Sequence, residues 1–133
     1  MNKNQSQPQF SPSRKIPVTI LGATGVVGQR FLRRIANHPW FYPQFLAASD
    51  RSAGKRYAEA CRWHLPGISY AGHAEVRVVP CSPESAFSPI VFSALDAGPA
   101  HEIEPLFAEA GAYVFSNASA FRMEEDIPLL IPE

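Results

Sequence analysis

A chain of 133 residues with 12 basic and 12 acidic side chains has no formal net charge, is 46% hydrophobic and 18% charged, and contains two cysteines. That length suits one domain with its own core rather than two. The charge balance argues against binding nucleic acid or an anionic membrane by bulk electrostatics. No run reaches the roughly 18 apolar residues of a membrane span. Two isolated cysteines offer no disulfide framework, so a cytoplasmic protein is expected.

Residues 1–14 (MNKNQSQPQFSPSR) are polar, lack the apolar centre of a secretory signal and have almost nothing to bury. They are expected to form a disordered tail, with the domain occupying residues 15–133. The thirteen prolines are scattered and act mostly as punctuation between apolar runs. Pro17 has to stand at the start of a strand, and Pro105 in a first helical turn or at a kink.

Ile16 to Leu21 is a short β-branched run ending in glycine, which suits a buried strand. Val26, Val27, Phe31, Leu32 and Ile35 then recur at helical spacing. Gln29, Arg30, Arg33 and Arg34 fill the polar face, and the helix stops near Asn37, ahead of Pro39. Further strands are expected at Phe45–Ala48, Val76–Val79, Ile90–Leu95 and Ala112–Phe115. A helix near Ala100–Ala110 is closed by Gly111. The stretch from Arg51 to Ala74 reads as loops with a short helix. Apolar strands without alternation, separated by helices, predict an α/β domain: a Rossmann-like, doubly wound, mainly parallel sheet.

The sharpest motif is Gly22-Ala23-Thr24-Gly25-Val26-Val27-Gly28, between a strand and a helix. Gly22 allows a tight turn, Gly25 lets the backbone approach a pyrophosphate, and Gly28 lets helix and strand pack closely. The helix N-terminus then points free N–H groups at phosphates. Thr24 adds a hydroxyl. Glycine-rich turns also serve purely structural ends, but here both flanks fit a cofactor.

The end of the second strand is where the adenosine ribose is read. Asp50 permits NAD there, whereas Ser49, Arg51, Ser52 and Lys55 suit the 2′-phosphate of NADP better, because a phosphate dianion needs several donors and a guanidinium. NADP is therefore expected, with NAD as the alternative. Ser116 to Met123 follows the last strand, at the ligand-binding edge of such a sheet. Arg122 there suits a phosphate or carboxylate, and Asn117 and Ser119 can equally organise a turn.

Cys61, His64, His73 and Cys81 have no metal-ligand spacing, and no metal site is expected. His38 follows a helix C-terminus, and His101 is a surface or capping residue. Trp40, Phe41, Tyr42 and Phe45 read as core, with any exposed part free to pack on a further domain.

Taken together, Gly22–Gly28, Ser49–Lys55, Ser93-Ala94-Leu95, Ser116–Met123, Asp126-Ile127-Pro128-Leu129 and Ile131-Pro132-Glu133 resemble aspartate-semialdehyde dehydrogenase. The likeness is to the branch shared by archaea, fungi and some bacteria, and it covers residues 15–133. It implies NADPH-dependent reductive dephosphorylation of L-4-aspartyl phosphate to L-aspartate 4-semialdehyde, on the route to lysine, threonine, methionine and isoleucine. It further implies that Thr24 to Val27 hold the pyrophosphate and that Ser49, Arg51 and Ser52 take the 2′-phosphate. Ser93 and Ala94 would line the cofactor groove, and Arg122 would grip the substrate phosphate beside Asn117. The full-length family form is a homo-oligomer acting on a small molecule.

The family's cysteine nucleophile and histidine partner match nothing in this sequence. Cys61 and Cys81 do not correspond to that nucleophile. The chain is thus expected to hold the cofactor domain without the catalytic and dimer-forming one, to contain no catalytic residue, to bind cofactor weakly if at all, and to be inactive by itself. Other readings are an acetylglutamyl-phosphate reductase, a short-chain-type reductase or a stand-alone nucleotide-binding module. No tyrosine carries the lysine four residues on that a short-chain reductase needs.

Overall fold

The structure is a computed structural model and describes residues 14–129. The chain runs β1 (Ile16–Leu21), α1 (Val26–Ile35), β2 (Phe41–Ala48), α2 (Tyr57–Ala60), a 3₁₀ turn (Ser69–Gly72), β3 (Val79–Pro80), α3 (Pro83–Ala86), β4 (Ile90–Ser93), α4 (Ala97–Glu109) and β5 (Tyr113–Ser116). The strands form one five-stranded sheet in the order β3-β2-β1-β4-β5, and every pairing is parallel. This is the doubly wound, Rossmann-like order. Its strand sequence reverses at β1 and β4, where a crevice opens beyond the strand ends.

β1 lies at the centre and its two faces feed two cores. Val18 and Ile20 pack with Leu32 and Ile35 of α1, Leu46, Tyr57 and Val78. Leu21 joins Ala47, Ala86, Val91 and Phe107 of α4 on the opposite face. With both faces covered, the strand needs no polar alternation. Thr19 is the exception. Its buried hydroxyl is satisfied by the Ala86 carbonyl and the Ser88 hydroxyl, 2.9 Å from the latter.

Several expected boundaries move, each for a local reason. β2 begins at Phe41 rather than Phe45. Val18 is opposite Pro43 and Thr19 opposite Phe45, so Gln44 is an extra residue bulged out of the ladder. The Val76–Val79 strand is mostly something else. The Tyr57 N–H donates to the Val76 carbonyl and the Val78 N–H to the Lys55 carbonyl, at 2.8 and 2.9 Å. Arg56 and Arg77 form an antiparallel bridge. Only Val79 and Pro80 join the parallel sheet, against Ala47 and Ala48.

β4 stops at Ser93, although the Ala94 N–H still donates to the Leu21 carbonyl (2.8 Å). Pro17 is the second residue of β1. Pro105 lies inside α4. Pro99 takes the first-turn place, where the missing N–H has no helical partner anyway. Apart from Arg14, the N-terminal tail 1–14 lies outside the described residues, as do residues 130–133 of the C-terminal motif.

Candidate cofactor site

The turn from β1 into α1 is built by three glycines with three different tasks. Gly22 has φ +73°, and a Cβ there would stand 2.8 Å from the Ala94 carbonyl oxygen. It thus combines a left-handed backbone with close approach to the end of β4. Gly28 is buried, and its Cβ would lie 2.1 Å from the Gly22 carbonyl oxygen, so α1 can rest on the turn only if this residue lacks a side chain. Gly25 is exposed and caps α1 with extended backbone. A Cβ there would meet nothing nearer than the Gly22 carbonyl oxygen at 3.7 Å. The space in front of the helix N-terminus is therefore open, and the first-turn N–H groups have no partner within the helix.

A groove of about 560 Å³ lies over this turn. Gly22, Thr24 and Gly25 form one side, Ala94, Leu95 and Asp96 another, and Ser49, Asp50 and Cys81 close the end. A smaller, mainly polar cup of about 370 Å³ is lined by Thr24, Ser49, Arg51, Ser52, Lys55 and Ala60. Thr24 and Ser49 line both, so the two are continuous. The cup is gathered by a tight turn in which the Ser49 carbonyl accepts from the N–H groups of Ser52 (2.8 Å) and Ala53 (3.0 Å). Asp50 faces the larger groove and is not among the cup's lining. The cup is thus a cationic, hydroxyl-bearing recess with no carboxylate among the described residues of its wall.

The remaining expected site residues lie elsewhere. Val26 and Val27 are 46% and 39% exposed at the start of α1, so they do not join the helix's buried stripe as their spacing suggested. Ser93 is buried beneath the groove, its hydroxyl 3.5 Å from the Leu95 N–H, while Ala94 forms the wall. Asn117 and Arg122 are exposed beyond β5 and line neither recess. The Asn117 N–H donates to the Ser93 carbonyl (2.9 Å), which sets this segment beside the end of β4. Phe121 packs edge-on against His101 of α4, ring centroids 4.8 Å apart.

Gln29, assigned to the polar face of α1, is fully buried. Cys81 forms part of the groove wall. Burial pushes the thiols of both Cys81 and Cys61 above their ordinary range. Trp40 and Tyr42 are 53% and 39% exposed rather than core, whereas Phe41 packs against His38 and Phe92. Among the described residues no three His, Cys, Asp or Glu side chains converge as metal ligands, and no helix is long and apolar enough to cross a membrane.

Residues 17–133 match the semialdehyde dehydrogenase NAD-binding domain family. The chain belongs to that family. Aspartate-semialdehyde dehydrogenase of Archaeoglobus fulgidus is 50% identical over 120 residues, covering 87% of this chain and 34% of the relative. The Methanothermobacter thermautotrophicus enzyme of the same name is 48% identical over 119 residues, again 34% of its length. A crystal structure of the Candida albicans aspartate-semialdehyde dehydrogenase with NADP superposes with a TM-score of 0.83 at 43% identity, over 87% of this chain and 33% of that one. The chain thus spans about a third of the length of the relatives it matches. The semialdehyde dehydrogenase resemblance and the Rossmann-like fold drawn from the sequence are both borne out.

Proposed function

We propose that this chain is the NADP-binding part of an aspartate-semialdehyde dehydrogenase. In the complete enzyme, L-4-aspartyl phosphate would be reduced to L-aspartate 4-semialdehyde. The observation that carries the reading is the continuity of the groove and the cup through Thr24 and Ser49. A single ligand with a pyrophosphate and a 2′-phosphate matches that pair of recesses, and the Candida albicans relative was crystallised with NADP.

The donor set fits the cofactor. The open helix N-terminus at Gly25, with its dipole and free N–H groups, suits the pyrophosphate. Arg51 and Lys55 supply positive charge for the 2′-phosphate, and Ser49 and Ser52 supply hydroxyl donors. Gly22, Val26, Val27 and Gly28 shape the turn, while Ala94 and the underlying Ser93 form the opposite wall. Asn117 and Arg122 lie beyond the end of β5 and are assigned to the phosphate of the substrate.

When bound, the cofactor would supply the hydride that reduces the acyl group in the complete enzyme, with phosphate as the leaving group. Among the described residues the groove wall contains no histidine, and burial pushes its one thiol, Cys81, above the ordinary thiol range. The 133-residue chain is therefore proposed to bind cofactor without turning substrate over.

Titration of this chain with NADPH and NADH is the test. NADPH is expected to bind more tightly, and Arg51→Ala to weaken NADPH about tenfold or more while leaving NADH unchanged. Equal affinity for the two cofactors, or turnover of aspartyl phosphate by the chain alone, would overturn the corresponding part of the reading.

A further inference from the structure

Two buried side chains that contribute nothing to the groove's surface hold its phosphate-facing turn from behind. Tyr57 of α2 is wholly buried, and its hydroxyl donates to the Ala23 carbonyl at 2.6 Å. Gln29 of α1 is also wholly buried. Its amide nitrogen donates to the carbonyls of Thr24 (3.2 Å) and Arg62 (2.9 Å), and its amide oxygen accepts from the His64 N–H (2.9 Å). Both amide donors and the acceptor are thus occupied, which only a neutral amide of this length can do.

The consequence follows from peptide geometry. In a planar trans peptide the carbonyl and the next N–H point in opposite directions. With the Ala23 carbonyl drawn inward to Tyr57, the Thr24 N–H is turned to the other side of the chain, the side of the groove that Thr24 lines. With the Thr24 carbonyl drawn to Gln29, the Gly25 N–H is set towards the Gly22 carbonyl, which it reaches at 3.2 Å. The two ties therefore decide the orientation of consecutive peptide planes immediately before α1. They also connect the turn to the chain that shapes the cup. Tyr57 lies between the cup residues Lys55 and Ala60, and Gln29 grips the segment that follows them.

The geometry points to Tyr57 and Gln29 as positioning residues that preset the pyrophosphate-binding peptides of the Ala23–Gly25 turn. This deepens the cofactor reading above and rests on it for the identity of the ligand. Tyr57→Phe and Gln29→Glu test it with little change of shape. In Gln29→Glu a carboxylate faces the carbonyls of Thr24 and Arg62, so the donors are lost while an acceptor for the His64 N–H is kept.

In the ligand-free chain, both variants are expected to speed amide hydrogen exchange at Gly25, whose N–H is held by the Gly22 carbonyl, while leaving the centre of β4 unchanged. Phe107→Leu, a core change on the other face of the sheet, controls for general loss of stability and is expected to leave the turn's pattern alone. With ligands, NADPH affinity is expected to fall about tenfold, whereas adenosine 2′-monophosphate, which carries no pyrophosphate, is expected to bind as it does to the unaltered chain.

A Gly25 amide that exchanges no faster in either variant than in Phe107→Leu would overturn the proposal. So would equal losses of affinity for the two ligands. If the unaltered chain binds neither ligand, the cofactor reading and the pyrophosphate role fall together, and the exchange data still show whether the ties order the turn.

Discussion

β1 and β5 are both short, apolar, parallel strands of the same sheet, yet they are treated in opposite ways. In β1, Val18, Ile20 and Leu21 have no exposed surface. In β5, Tyr113 is 72% and Phe115 51% exposed. Composition alone does not separate Ile16–Leu21 from Tyr113–Ser116, and an unbroken apolar run argues in both cases for a strand covered on two faces. Position in the sheet makes the difference. β1 has strands on both sides and helices over both faces, whereas β5 pairs only with β4 among the described residues and is flanked by α4. The groove lies at the ends of β1 and β4, the two strands between which the strand order reverses.

This contrast can be broken most forcefully at Gly28. In Gly28→Ala the new methyl would sit 2.1 Å from the Gly22 carbonyl oxygen and 2.7 Å from Ala23 Cα. Both obstacles are backbone, so α1 has to move off the turn. A loss of about 3 kcal/mol, the upper range for overpacking, is expected in denaturant unfolding, together with loss of NADPH binding. A change of under ~0.5 kcal/mol would show that the helix and strand are not packed as described.

Thr19→Val probes the buried side of β1 more gently. It removes a hydroxyl that satisfies the Ala86 carbonyl and touches Ser88. A loss of about 1–2 kcal/mol is expected in the same measurement, with the NADPH-to-NADH preference intact, because neither recess includes this residue. Tyr113→Thr, on β5, is expected to change stability by no more than ~0.5 kcal/mol. A larger loss would mean that β5 is covered in solution and that its difference from β1 is smaller than the exposures indicate.

What could be read from the sequence was what depends on neighbours along the chain. The glycine turn is legible because its requirements fall within seven residues, from Gly22 to Gly28. The cup is legible for the same reason, since Ser49 to Lys55 form one local turn. Gln29 was misplaced because its partners at Arg62 and His64 are 33 and 35 positions away, and a polar residue on an amphipathic helix reads as solvent-facing without them. The Val76–Val79 strand was misread for a related reason. Its residues have the β propensity expected, but most of that pairing goes to Gly54–Ala58 rather than to the sheet. The length of β2 was hidden by Pro43, which lies where β2 pairs with β1 but not with β3, and by the bulge at Gln44 inside the β1–β2 ladder.

The contact between Gly22 and Ala94 has a further consequence. The turns that follow β1 and β4 lie so close that even a methyl group at residue 22 would come within 2.8 Å of the Ala94 oxygen. The two walls of the crevice are therefore a single body, ordered when the domain folds rather than when a ligand arrives. Conformational entropy that a looser pair of loops would lose on association is already lost in folding. A ligand that fits this crevice meets a floor that has nothing left to freeze.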